Sequence, residues 1–177
     1  MVNATGWNIP DVPTFRLESP DFSEGDRLPN WARSEGAGGE DRSPTLHWEG
    51  APSGTRSFAI TVFDPDAGSG NGWWHWAVCN IPSKISSLAA DAGNPEADLL
   101  PAGTVTLSND SGQTRFGGAA PPRGHGEHRY VFTVFALDVE RLELPDGSAP
   151  RALSSTISEH VIAMAQLTGR TETPANA

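Results

Sequence analysis

Positive charge is scarce in this chain. Its 177 residues carry 12 Lys and Arg against 22 Asp and Glu, a formal net charge of −10. Lys84 is the single lysine among those twelve. Such a balance leaves little to neutralise a run of phosphates, which argues against a nucleic-acid-binding face. Adsorption to an anionic membrane surface is disfavoured for the same reason. Cysteine is scarcer still. Cys79 stands alone, so no intrachain disulfide forms, and within the apolar run Ala77–Ile81 it reads as a small core residue. Long apolar runs are missing as well. No segment approaches the roughly 20 apolar residues that span a bilayer. The start, Met1 to Val12, has neither the basic nor the apolar stretch of a signal peptide. The expectation is a soluble, cytoplasmic protein without an integral membrane segment.

What the chain does have is turn-forming residues and short apolar stretches. The composition is 37% hydrophobic, enough for a core, with 19 Gly and 15 Pro that favour strands and turns over a helical bundle. We read one domain over residues 1–177, with loose ends at about 1–13 and 170–177. Ser57 to Phe63 alternates, with Phe58, Ile60 and Val62 on one face and Ala59, Thr61 and Phe63 on the other. Both faces are largely apolar, which predicts a central strand covered on both sides. Trp74 to Ile81 and Tyr130 to Leu137 read the same way. In the former, alternation sends Trp73, His75, Ala77 and Cys79 one way and Trp74, Trp76 and Val78 the other. Shorter strands are expected at Phe15–Leu17, Thr45–Trp48 and Thr104–Leu107, with a weak one around Leu28. Leu153, Ile157, Val161, Met164 and Thr168 recur at helical spacing. They predict a helix from Ser154 to Leu167, capped by Ser154 or Ser155 and ended by Gly169. The fold class that follows is mainly β, a two-sheet sandwich with a C-terminal helix.

Two segments concentrate the chemistry, Ser57 to Pro82 and Gly117 to Leu137. Each couples an apolar strand to a Gly/Pro-rich turn with titratable groups at the strand edge. Asp64-Pro65-Asp66 follows the first strand, and Pro65 forces the chain out of the ladder there. Either carboxylate can accept backbone N–H groups of the turn, and that structural role weighs more for Asp66. Trp73-Trp74-His75-Trp76 puts an imidazole among aromatics. His128 and Tyr130 lie two apart and project to the same side if their strand starts early. Ala119-Ala120-Pro121-Pro122 supplies a wall of small side chains. Gly68-Ser69-Gly70-Asn71-Gly72 lacks the lysine of a phosphate-binding P-loop and reads as a plain connection. His47, His125 and His160 have no such company and read as surface or structural residues.

Asp-Pro-Asp-Ala, Trp-Trp-His-Trp, Gly-Ala-Ala-Pro-Pro-Arg-Gly and His-Arg-Tyr-Val-Phe together resemble the two signatures of the phosphatidylethanolamine-binding protein family. The closer likeness is to its bacterial and archaeal branch, called Raf-kinase-inhibitor-like. It covers about Ser43 to Leu137, and Ser43 to Trp48 and Asn109-Asp110 also fit. The resemblance implies a β-sandwich with a small anion-binding pocket at one end. Asp64, His75, His128 and Tyr130 would line that pocket, with Trp73 at its mouth and Ala120, Pro121 and Pro122 as wall. Asp66 would brace the loop. Gly68 and Ala120 depart from the family's usual residues, which implies a more mobile loop after Asp66 and an altered pocket width.

Three functions fit these residues. The leading one is a binding module in which imidazolium and phenol donate to a phosphate- or carboxylate-bearing ligand, with Asp64 keeping His75 charged and oriented. The resemblance adds modulation of a kinase or another signalling partner, and a homodimer by analogy. The alternative is a hydrolase using the Asp64/His75/His128 pocket, but no Gly-x-Ser-x-Gly elbow is present. A metal site of two His and a carboxylate is the third, and the spacings that would support it are missing. No cofactor, no metal and no catalysis are expected.

Overall fold

The computed structural model describes residues 4–145 and 147–176. Its strands are β1 (Arg16–Glu18), β2 (Leu46–Glu49), β3 (Ser57–Asp64), β4 (Trp73–Pro82), β5 (Ser87–Leu88), β6 (Val105–Thr106), β7 (His128–Leu137) and β8 (Val161–Thr171), with one α-helix, α1 (Ser154–His160). They form two antiparallel sheets, one ordered β1-β2-β5 and one ordered β6-β4-β3-β7-β8. The fold class read from the sequence is the one observed.

The central position of β3 follows from its two apolar faces. Phe58, Ile60 and Val62 meet Leu17, Leu46, Trp48 and Leu88 of the small sheet in the inter-sheet core. Ala59 and Phe63 face a second core with Trp7, Trp74, Phe135, Leu153 and Ile157. Burying both faces leaves the ends of β3, not its sides, as the places where polar groups can gather.

Three expectations are corrected. Residues 161–171 are a strand and not the second half of a helix. The helical recurrence of Val161, Met164 and Thr168 competes with a period-2 pattern in which Val161, Ala163, Ala165, Leu167, Gly169 and Thr171 are the more buried set. Pairing along the length of β7 decides for the strand. The helix that remains spans 7 residues, is rich in Ser and Thr, and has no side-chain cap. Ser154 Oγ instead accepts from the Asn8 amide at 3.0 Å. Gly169 lies within β8, where a Cβ would come 2.4 Å from Leu28 Cδ2. Leu28 itself is outside the strands and donates its amide to Arg170 O.

The chain ends are not loose over the described residues. Trp7 is fully buried and packs at a tilt against Trp74 and Phe135, and its indole donates to Pro150 O at 2.7 Å. Arg33 donates to Thr171 Oγ1, Glu172 O and Thr173 Oγ1.

The third correction concerns β4. Val62 pairs with Trp76 and Phe63 with Trp74, so His75 is the extra residue of a β-bulge. The bulge breaks strict alternation. Trp76 enters the inter-sheet core and Trp74 the second core, while Trp73 emerges 39% exposed. A bulge re-aims one side chain, and here that side chain is His75.

Candidate functional site

The end of β3 organises the site. Asp64, its last residue, pairs with Trp73 of β4, and β7 on the other side begins at His128. His128 and Tyr130 therefore project together beside Asp64, and the bulge brings in His75 from the opposite neighbour. These groups open onto a cavity of about 660 Å3. Asp64, His75, His128, Tyr130, Trp73, Ala120, Pro121 and Pro122 all line it, so the eight residues singled out from the sequence as pocket-lining come together. Asp66 does not line it. Its carboxylate accepts from the Arg129 amide at 2.8 Å and from the Arg129 guanidinium at 2.8 and 3.0 Å. The Arg129 side chain holds the Asp66 carboxyl below its ordinary pKa, against the opposing effect of burial.

The carboxylate–imidazole pair differs from the one expected. Asp64 Oδ2 accepts from His128 Nδ1 at 2.7 Å, both side chains being buried, and Asp64 Oδ1 accepts from the Asp66 amide. His75 is held by Gly117: its Nδ1 donates to Gly117 O at 2.9 Å, and the Gly117 amide donates to His75 O at 2.8 Å. A carbonyl can only accept, so His75 carries its proton on Nδ1. Its Nε2, without a protein partner among the described residues, is free toward the cavity. Burial pushes the His75 pKa below its ordinary value; the Gly117 carbonyl and the Asp64 charge oppose this and do not overcome it. Asp64 therefore does not keep His75 cationic.

His125 has company after all. Its Nδ1 shares a hydrogen with His128 Nε2 at 2.8 Å, making a line Asp64–His128–His125. Both ring nitrogens of His128 are thus engaged within the protein. Tyr130 stands edge-on to His75, ring centroids 5.2 Å apart. Burial raises the Tyr130 pKa, which keeps its hydroxyl a donor, and that hydroxyl has no protein partner among the described residues. Of the other histidines, His47 is exposed and His160 bonds Asp138 at 2.9 Å.

Sequence reasoning missed one whole wall. Ser34, Glu35, Gly36 and Asp41 line the cavity from a segment read as polar turns, and Ser111 and Gln113 line it from beside Asn109. Asp41 Oδ1 accepts from the Gly118 amide at 2.7 Å and Oδ2 from the Glu35 amide at 3.2 Å. Gly118 tolerates no side chain, since a Cβ would lie 2.3 Å from the Arg33 carbonyl carbon. The Asp41 φ of 50° marks a turn built around these contacts, but such a turn has no periodic signal to find. Cys79 is buried and its thiol is pushed up to about 12, an inert core residue as expected. Among the described residues no group of three or more His, Cys, Asp or Glu is placed to hold a metal ion. None of the helices among the described residues is long and apolar enough to cross a membrane.

Comparison with known proteins gives the chain's relatives. The family model described as phosphatidylethanolamine-binding protein matches residues 18–172. YbcL of Escherichia coli is 41% identical over 156 residues, covering 87% of this chain and 85% of YbcL. YbhB of the same organism is 40% identical, covering 87% and 98%. A Mycobacterium tuberculosis relative whose name calls it a lipoprotein, LppC, is 31% identical over 92% of this chain and 75% of its own. The crystal structure of Escherichia coli YbcL superposes with a TM-score of 0.85, covering 89% of this chain and 98% of that one. The CT736 homologue from Chlamydia trachomatis, 29% identical, gives 0.76, covering 90% and 98%.

Proposed function

This chain belongs to the phosphatidylethanolamine-binding protein family, and from that premise we propose that it binds a small phosphate- or carboxylate-bearing ligand in the cavity at the end of β3. The observation that carries the reading is a pair of unused polar groups converging on one cavity, the Tyr130 hydroxyl and His75 Nε2. Tyr130 donates as it stands. His75 donates once it takes up a proton at Nε2, so an anion that brings or recruits a proton is bound by two charge-assisted bonds. Two of the carboxylates that line the cavity are turned to protein donors, Asp64 to His128 and the Asp66 amide, Asp41 to two backbone amides, and the third, Glu35, is exposed. That lessens, without abolishing, their repulsion of an anion. His128 supports the site from behind.

Binding fits this arrangement better than hydrolysis. In an Asp–His–nucleophile array the second imidazole nitrogen activates a hydroxyl or thiol. Here that nitrogen of His128 faces His125. By family analogy we extend the proposal to ligand-dependent modulation of a protein partner such as a kinase, to a homodimer and to a cytoplasmic location.

Calorimetric titration with inorganic phosphate and phosphoethanolamine tests the reading. The expected affinity is weak, about micromolar to millimolar, because little area is buried. His128→Ala weakens it by about 1–3 kcal/mol through loss of the supporting hydrogen bonds. No heat and no competition by either compound between pH 5.5 and 7.5 contradicts the proposal.

A further inference from the structure

The opposite end of the same strands carries a second cavity, of about 410 Å3. Arg56 lines it just before β3 begins, Lys84 from the turn after β4, and Glu140 and Arg141 from the loop after β7. Ser57 pairs with both Pro82 and Leu137, which is why these three loops meet there. From Arg56 to Asp64 the strand runs eight steps, about 26 Å at ~3.3 Å per residue. That is several Debye lengths at physiological salt, at about 8 Å each, so the carboxylates of the first cavity do not cancel the field of the second.

Charge distinguishes the cleft. Three cationic side chains face one carboxylate, in a chain of net charge −10. Arg56 and Glu140 make only a long contact, 3.8 Å, between exposed side chains. Lys84 and Arg141 make no ion pair, hydrogen bond or ring contact among the described residues. Neither is tied to a carboxylate of the described residues. Of the other Lys and Arg side chains, only Arg123 is equally unengaged among the described residues. The floor is rigid: Asn80, at a φ of 61° in the second bulge of β4, exchanges both amide hydrogen bonds with the Leu142 backbone at 2.7 and 3.3 Å. Gly103 also lines the cleft, and its φ of 88° is a backbone conformation that favours glycine there.

We propose that this cleft is a second anion site, which takes a small soluble polyanion bearing two or more phosphate or carboxylate groups. Cations gathered in a concave cleft without a carboxylate partner among the described residues focus positive potential on whatever fills it. Lys84 and Arg141 supply separate donors for two anionic groups. The volume lies in the ordinary range of small-ligand pockets, about 300–1,000 Å3. No imidazole lines the cleft, so its own charge stays constant where the first cavity titrates.

The test is a titration of the intact protein with inorganic diphosphate at pH 7.5, read by backbone amide chemical shifts. The proposal expects shifts at Ser83, Lys84 and Gly103 that saturate. In the Lys84→Ala/Arg141→Ala double variant those shifts need at least tenfold more diphosphate. Both side chains are exposed, so the variant melts like the wild type, and Lys84→Arg retains binding. In Tyr130→Phe the shifts at this end persist unchanged, which separates this site from the first. Shifts confined to Gly117 and Gly118, or undiminished in the double variant, would overturn the proposal.

Discussion

The two ends of the β3–β4–β7 ribbon use the same strands and opposite chemistry. At the Asp64 end the titratable groups are buried and committed to one another, so what they can bind is decided by the few atoms left over: a phenol hydroxyl and one imidazole nitrogen. At the Arg56 end the charges are exposed, Arg56 makes only a long contact to Glu140, and Lys84 and Arg141 have no partner among the described residues. As proposed binding sites, the first arrangement would discriminate by geometry and by proton, while the second would attract by field and be screened by salt. A strand covered on both faces offers polar chemistry only at its ends, and the two ends of β3 present different groups.

Stability should separate the two ends most sharply. Trp7 backs Trp74, the neighbour of His75, so Trp7→Ala should cost about 3–5 kcal/mol in chemical denaturation. Asp64→Ala strands the buried His128 Nδ1 donor and the Asp66 amide, at a cost on the order of 3 kcal/mol. Lys84→Ala or Arg141→Ala should stay within about 0.5 kcal/mol of wild type. Equal losses at both ends would break the comparison.

Binding comes next in size. Tyr130→Phe removes the hydroxyl donor but keeps the ring against His75, so phosphate affinity should fall about tenfold, roughly 1.4 kcal/mol, with the fold unchanged. Calorimetry of the variant at pH 6 measures this, and an unchanged affinity removes Tyr130 from the site.

The smallest effect is the pH dependence of stability. Burial sets the folded pKa of His75 below its ordinary 6.5. Between the two values the unfolded chain binds more protons, so the contribution of His75 is complete above about 6.5 and is lost as pH falls below it. A bound phosphate favours the protonated ring and reduces that loss. Melting curves between pH 7.5 and 5.5, with and without phosphate, should converge in His75→Gln.

The sheet was legible in the sequence because β3 and β7 carry apolar residues on both faces, and because the Asp64 and His128 motifs abut such strands. Residues 161–171 were not, since small residues such as Ala163 and Ala165 fit either period and only the partner strand chooses. The Asp64–His128 pairing was hidden because it depends on the β3–β7 register, and the setting of His75 because it depends on a one-residue bulge in β4. His125 was hidden because Gly124 and Gly126, at φ of 71° and 85°, fold it back onto His128. The wall around Asp41 depends on contacts distant in sequence.

The most direct test of the central claim follows the imidazole nitrogens by NMR while phosphate is added at pH 6.5. Binding through His75 and Tyr130 predicts that His75 Nε2 gains a proton as phosphate saturates, while His128 keeps its Nδ1 proton on Asp64. If the His75 ring nitrogens do not respond to phosphate that is shown to bind, the cavity at the end of β3 is not the anion site.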